Sequence, residues 1–153
     1  MREKPPLRLL PGQPADPAAR HRLRIVIADD DRDTTVTLGT ILAEEGHEVH
    51  TVLRGDEILA LCRLLRPDVV IADVDMQGMS GYAVARELRE RHGTLAPLLI
   101  AVSGKWTNTS DRLLGHAVGF DHYLLKPADP HELLVILAQF SASATSSTKS
   151  TGR

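Results

Sequence analysis

The chain of 153 residues is 42% hydrophobic but only 3% aromatic, and its formal net charge at pH 7 is −2. This length suits one domain with an aliphatic core, which an α/β fold accommodates better than an all-β sandwich. Residues 1–24 carry net +4 and residues 141–153 net +2, which leaves net −8 on residues 25–140. Such an acidic body argues against nucleic acid as a direct partner.

The composition also predicts where the domain begins and ends. Residues 1–22 contain five prolines without periodicity and are predicted to be a flexible Pro/Arg-rich arm. Residues 141–153 are rich in Ser and Thr and are predicted to be a disordered tail, which leaves the domain at residues 23–140. The single cysteine, Cys62, excludes an internal disulfide and a cysteine-based metal site. No segment has the length of a membrane span or the apolar core of a signal peptide, so we expect a cytoplasmic protein without membrane contact.

Five apolar segments are predicted to be strands, at residues 23–28, 48–53, 69–73, 97–102 and 120–125. The first, third and fourth are almost continuous runs of Val, Ile and Leu, which is typical of parallel strands buried on both faces. The second alternates between polar and apolar residues, which indicates a sheet edge. Helices are predicted after each strand, at residues 34–45, 55–66, 82–92, about 110–118 and 130–140.

Strict alternation of strands and helices predicts a doubly wound parallel sheet of five strands with helices on both faces. The carboxyl ends of all five strands then meet along one rim, where ligand sites gather in such sheets. Five side chains follow the predicted strands at this rim, namely Asp29, Asp30, Asp73, Ser103 and Lys126.

Three carboxylates at one place repel one another, and a hard cation such as Mg²⁺ relieves that repulsion. Lys126 adds a fixed positive charge and Ser103 a hydroxyl donor, both suited to the oxygens of a phosphoryl group in transfer. A carboxylate in line with that group becomes a nucleophile and forms an aspartyl phosphate. The rim therefore predicts phosphoryl chemistry.

These residues, in this order, resemble the receiver domain of response regulators in two-component signalling. The resemblance covers residues 23–140 and rests on Asp29-Asp30, Asp73, Ser103-Gly104 and Lys126-Pro127. It implies a flavodoxin-like strand order of 2-1-3-4-5, with Asp73 as the phosphoacceptor for a phosphohistidine donor. It also implies a Mg²⁺ site formed by Asp29, Asp30, Asp73 and the backbone carbonyl of Asp75, with Lys126 as the phosphate-binding lysine.

The same resemblance implies a conformational switch, in which Ser103 supplies the hydroxyl and Tyr123 the aromatic ring. The expected donor is a histidine kinase or a histidine phosphotransfer protein. The expected downstream target is a protein that binds the face formed by the fourth helix, the fifth strand and the fifth helix. Residues 119–130 resemble receivers that are attached to, or serve, hybrid histidine kinases. The protein is expected to be a signalling phosphoacceptor that catalyses only its own phosphorylation and autodephosphorylation, with no output domain after Phe140.

Three residues depart from the family pattern. Gln77 stands where the family usually has Pro, Ser80 where it usually has Asp, and Asp75 is less common at its position. We expect an altered loop with retained chemistry. Asp75 and Lys105 each lie two residues beyond a site residue, and we predict that they pair across the site and restrict the water that hydrolyses the acyl phosphate.

Two other functions are consistent with parts of this pattern. The segment Asp73-Val74-Asp75 matches the Asp-x-Asp motif of haloacid-dehalogenase-type phosphatases. Those enzymes place their nucleophile strand first and their acidic pair last, the reverse of the order here, and they need more chain for a cap. A degenerate receiver that serves only as a docking module is the second alternative, and the complete set of site residues argues against it.

Overall fold

The computed structural model describes residues 22–104 and 118–150, with side chains as far as Ser143. Its strands are β1 (Arg24–Ala28), β2 (Glu48–Val52), β3 (Val69–Asp73), β4 (Leu98–Ser103) and β5 (His122–Leu125). Its helices are α1 (Arg32–Glu44), α2 (Gly55–Leu65), α3 (Gly81–His92), a 3₁₀ turn (Gly93–Leu95) and the C-terminal helix (Pro130–Ser150). The predicted fourth helix lies outside the described residues, except for its last residue.

All five strands are parallel, and their order is β2-β1-β3-β4-β5. The predicted fold class and strand order are confirmed. The strand predicted to be an edge, β2, does lie at one edge of the sheet, and β5 forms the other. Every strand therefore delivers its carboxyl end to the same rim.

The continuous apolar runs reflect two separate cores on the two sides of the sheet. Within β1, Ile25 and Ile27 pack with α1 and the C-terminal helix, whereas Val26 and Ala28 pack with α2 and α3. Because successive side chains of a strand point to opposite faces, a strand covered on both sides needs apolar residues at every position. All five residues of β3 are buried, and the four that precede Asp73 are apolar for this reason.

A row of small side chains crosses the middle of the sheet on the side of α2 and α3. The strand register places Ala28 opposite Ala72, and Ala72 opposite Ala101. Ala101 in turn lies opposite Tyr123 on β5. The three alanines are buried, and the half-buried Tyr123 packs against the same core at the end of their row.

The helix ends follow from local side chains. Asp31 caps α1 by accepting a hydrogen bond from the backbone N–H of Asp33, so the helix begins at Arg32, two residues earlier than predicted. Ser80 caps α3 in the same way, accepting from the N–H of Ala83 at 3.2 Å. Gly46, with φ of +93°, follows the end of α1, as the sequence predicts.

The C-terminal helix does not end at Phe140 but continues to Ser150, so the prediction of a disordered tail is wrong for residues 141–150. A helix that has already been nucleated is extended at little cost, and Ala142 and Ala144 have high helix propensity. Ser141 is also buried. The predicted N-terminal arm lies outside the described residues, except for Arg22. Within the described part of the chain, no helix has the length and hydropathy needed to cross a membrane.

Candidate functional site at the carboxyl rim of the sheet

Three of the predicted site residues form an acidic cluster at the rim. Asp29 follows β1 and is 3% exposed, and Asp73 ends β3 and is 5% exposed, whereas Asp30 is exposed. One carboxylate oxygen from each residue lies within 4.8 Å of the others. The fold thus brings together acids that are more than forty positions apart in the sequence.

Lys126 enters this cluster from the end of β5. Its Nζ lies 2.8 Å from Asp29 Oδ2 and 3.0 Å from Asp73 Oδ2. Burial by itself lowers the pKa of Lys126, but the hydrogen bonds and charges of the two carboxylates outweigh burial, so its pKa is above the usual value. The lysine therefore remains charged and offsets the repulsion between Asp29 and Asp73.

Backbone groups hold the other oxygens of these two carboxylates. Asp29 Oδ1 accepts from the N–H of Asp31 at 2.9 Å. Asp73 Oδ1 accepts from the N–H of Asp75 at 3.1 Å. Each buried carboxylate thus has one oxygen on a backbone N–H and the other on Lys126, which fixes its orientation.

The donor set at the rim fits a hard divalent cation. Three carboxylates that converge within 4.8 Å supply oxygen ligands of the kind that Mg²⁺ prefers, and a single lysine cannot neutralise all of them. Asp30 is exposed, so the cluster is open to solvent on that side. The side chain of Asp75 is also exposed, and its contact with Asp73 is a hydrogen bond from its backbone N–H.

The two predicted switch residues lie on neighbouring strands. Ser103 ends β4 and is buried, and its backbone carbonyl accepts from the N–H of Lys126 at 2.9 Å. The ring of Tyr123 packs edge-on against Phe120 with 5.6 Å between centroids. Phe120 packs in the same manner against Tyr82, at 6.3 Å. Burial, followed by the influence of Tyr82, raises the pKa of Tyr123, so its hydroxyl is neutral. Lys105, the predicted partner of Asp75, lies outside the described residues.

Sequence reasoning missed the packing of the segment after β3. The N–H of Gly55, at the start of α2, donates to the carbonyl of Gln77 at 3.1 Å. Gly81 lies so close to β3 that a Cβ on it would stand 2.7 Å from the carbonyl oxygen of Asp73. The signal for the first contact was a glycine at a helix start, where a residue with greater helix propensity would otherwise be expected. Outside the site, burial raises the pKa of Cys62 to about 11, so this thiol is protonated at neutral pH.

A family model described as response regulator receiver domain matches residues 25–138. The DNA-binding response regulator MtrA of Mycobacterium tuberculosis is 37% identical over 113 residues, or 74% of this chain and 48% of that protein. The structure of the chemotaxis response regulator CheY4 of Vibrio cholerae is 28% identical, with a TM-score of 0.71 and coverage of 78% of this chain and 98% of the other. The signal receiver domain of a signal transduction histidine kinase from Syntrophus aciditrophicus is 27% identical, with a TM-score of 0.71 and coverage of 79% and 91%.

The chain belongs to the response-regulator receiver family. It is a receiver domain of two-component signalling, a class whose members are phosphorylated on aspartate and act with histidine kinases. Receivers are signalling proteins, so the phosphatase alternative is excluded. The chain spans about half the length of MtrA, at 48%. The DNA binding in the name of MtrA belongs to that whole protein, and the absence of direct nucleic-acid contact by this chain stays a prediction.

Proposed function

We propose that Asp73 is the residue that receives the phosphoryl group. One observation carries this assignment: Asp73 is the buried carboxylate of the rim that ends the central strand, held between Lys126 and the N–H of Asp75. Asp29 is held in a similar way but follows β1, and the family resemblance gives the acceptor role to the acid after β3. The proposal therefore combines the geometry of the cluster with the order of its strands.

In the proposed reaction, a carboxylate oxygen of Asp73 attacks the phosphorus of a phosphohistidine. The new P–O bond forms as the P–N bond breaks, and the imidazole leaves with the electron pair and takes up a proton. Lys126, which binds Asp73 Oδ2 before the transfer, moves its ammonium group to an oxygen of the phosphoryl group. Ser103 donates its hydroxyl to another of these oxygens.

Asp29, Asp30 and Asp73 would hold Mg²⁺, with the backbone carbonyl of Asp75 as the remaining proposed protein ligand. When bound, the ion neutralises charge that the acids and the phosphoryl oxygens bring together. The chain's own part is to orient the acids, and the backbone N–H groups of Asp31 and Asp75 do this for the two buried ones.

The proposed phosphodonor is a histidine kinase or a histidine phosphotransfer protein in the cytoplasm. A groove beside Lys126 supports docking on this side, because it opens next to the site and joins α1 to the start of the C-terminal helix. Its lining includes Asp31, Thr34, Thr37, Leu38, Pro127 and Ala128. The groove combines hydroxyl, carboxylate and apolar groups, a mixture that also occurs in transient protein interfaces.

The proposed output is a change of the surface that contains β5 and the C-terminal helix. Ser103 moves toward the phosphoryl group, and the ring of Tyr123 follows into the space beside it. Leu125 and Val135 support a protein partner on this face, because they are exposed apolar side chains, at 55% and 42%. The predicted fourth helix, which lies outside the described residues, is the third element of this face.

We further propose that Asp75 and Lys105 together restrict water at the mouth of the site and so set the rate of autodephosphorylation. Asp75 supports this role because it is exposed and adjoins the acceptor through its backbone.

The acceptor assignment is tested by phosphorylation with acetyl phosphate and Mg²⁺, followed by intact-protein mass spectrometry. Wild type should gain one phosphate, and Asp73→Asn should gain none. Asp68→Asn is the matched control, because it makes the same chemical change at the opposite rim, where Asp68 accepts from the N–H of Arg24. It should be labelled like wild type. A wild-type protein that is never labelled would indicate a docking module.

The proposed switch is tested on the same labelled sample. The NMR signals of the Tyr123 ring should shift on phosphorylation, and unmoved signals would contradict the proposed switch.

A further inference from the structure

The acceptor loop, residues 74–80, connects β3 to α3 and rests on the first turn of α2. Gly55 is buried, and its N–H donates to the carbonyl of Gln77 at 3.1 Å. The backbones approach so closely that a Cβ on Gly55 would lie 1.8 Å from the carbonyl oxygen of Met79. A contact of that length cannot exist, so any side chain at position 55 must displace the acceptor loop or the helix start.

The side chains on either side of Gly55 enclose the loop further. Arg54 and Asp56 form an ion pair, with 3.2 Å between Nε and Oδ1. A Cβ on Gly78 would lie 2.5 Å from Asp56 Oδ1 and 2.9 Å from Arg54 Nη2. Gly78 also has φ of +84°, which favours glycine. The tip of the loop is therefore seated between these two side chains.

The acceptor loop is also what orients the acceptor. The N–H of Asp75 donates to Asp73 Oδ1, and Gln77, which Gly55 holds, is only two residues further along. At the other end of the loop, the N–H of Gly81 donates to the carbonyl of Val74 at 2.9 Å. A displacement at residues 77–79 can therefore be relieved mainly in residues 75 and 76, because the loop is anchored at both ends.

We propose that Gly55 is a positioning residue for phosphoryl transfer: it seats the acceptor loop so that the N–H of Asp75 holds the carboxylate of Asp73 in its reactive orientation. This inference rests on the proposed role of Asp73. Gly55 touches neither the phosphoryl group nor the acids and acts only through the loop. The orientation of the Asp73 carboxylate is thus set by α2, a helix that contributes no side chain to the proposed site.

The decisive variant is Gly55→Ala, compared with two other glycine-to-alanine changes. Gly46→Ala places a Cβ at φ of +93° with nothing within 4 Å, so it strains the backbone without touching the loop. Gly39→Ala, inside α1, meets only ordinary contacts at 3.6 Å. Together these controls separate a loss of stability from a loss of positioning.

Two measurements are made on each variant. The amide proton signal of Asp75, which a carboxylate hydrogen bond shifts downfield, should move upfield in Gly55→Ala and stay in place in both controls. The maximal rate of phosphorylation by acetyl phosphate should fall about tenfold to a hundredfold in Gly55→Ala, because small displacements of reacting groups have effects of that size. Gly46→Ala should melt at a lower temperature but keep the wild-type rate.

Two results would overturn the proposal: an unmoved Asp75 signal in folded Gly55→Ala, or an equal loss of rate in Gly46→Ala. If Gly55→Ala does not fold, the proposal is tested on wild type. Coupling between two sites is reciprocal, so a ligand at Asp73 must also affect the contact between Gly55 and the acceptor loop. Beryllofluoride, a phosphoryl mimic, should then slow hydrogen exchange of the Gly55 amide. Unchanged exchange would refute the proposal that Gly55 positions the acceptor loop. Failure of beryllofluoride to bind at all would instead count against the role of Asp73.

Discussion

We propose that Asp75 acts in two separate ways, one through its backbone and one through its side chain. Its N–H donates to Asp73 Oδ1, the proposed acceptor, and its side chain is exposed, as the proposed control of water requires. Replacement of its side chain leaves the N–H in place. The two parts can therefore be tested independently.

We predict that Asp75→Ala and Lys105→Ala each speed the decay of phosphorylated protein, because each removes half of the same barrier to water. The double variant should then decay about as fast as the faster single variant. The measurement is the loss of protein-bound phosphate with time after the phosphodonor is removed. Rate increases that multiply in the double variant would show that the two residues act separately.

The sequence predicted the charged residues of the site because each carries its chemistry in its side chain and follows a strand. Asp29, Asp73 and Lys126 could be brought together from strand order alone. Gly55 could not, because its contribution is a missing side chain and a backbone contact with residues more than twenty positions away. The edge-on contact between Phe120 and Tyr123 was missed for a similar reason, because the sequence of an aromatic residue does not reveal which ring packs against it.

At the scale of elements, the cap of α3 explains how the chain accommodates one departure from its family. Ser80 stands where the family usually has Asp, and its Oγ accepts from the N–H of Ala83 as an aspartate oxygen would. With this cap, α3 begins at Gly81.

We predict that Ser80→Ala lowers the free energy of unfolding by about 1 kcal/mol, the usual cost of losing such a cap. Ser80→Asp should restore or increase stability, because an anion at a helix N-terminus also interacts favourably with the helix dipole. Urea denaturation followed by circular dichroism measures both. Thr40→Ala is a suitable control, because its hydroxyl bonds within α1 and caps no helix. An unchanged midpoint for Ser80→Ala would show that the cap is redundant.

The C-terminal helix shows what composition alone cannot predict. Ser and Thr dominate the segment after Phe140, which indicates a disordered tail for an isolated peptide. Here the segment continues a helix whose earlier residues Leu133 and Leu137 are buried in the core. Extension of an existing helix requires only one residue to be fixed for each new hydrogen bond, so a composition that could not start a helix can continue one.

At the scale of the whole molecule, residues 25–140 carry a net charge of −8, and two buried carboxylates, Asp29 and Asp73, lie together at one rim of the sheet. Mg²⁺ that binds only the folded form must stabilise it, by about 1.4 kcal/mol at ten times the dissociation constant. We therefore predict that Mg²⁺ raises the melting temperature of wild type by several degrees, and that its removal with a chelator reverses the rise. The expected shift should vanish in Asp29→Ala/Asp30→Ala.

Glu44→Ala/Glu45→Ala is the matched control for general charge screening. It removes the same two charges at the far end of α1, and it should retain the response to Mg²⁺. A rise of equal size in the Asp29/Asp30 double variant would show that the ion acts elsewhere on the acidic surface.

The alanine row on the sheet limits how this chain can change over evolutionary time. Ala28, Ala72 and Ala101 adjoin one another in a close-packed layer, so a methyl group gained on one strand must be offset on its neighbour. The last position of the layer belongs to Tyr123, the only member of the row that reaches the surface. Substitutions of buried residues in the middle of the sheet would therefore change the surface that is proposed to bind partners. Partner choice would then evolve without a change in any exposed residue.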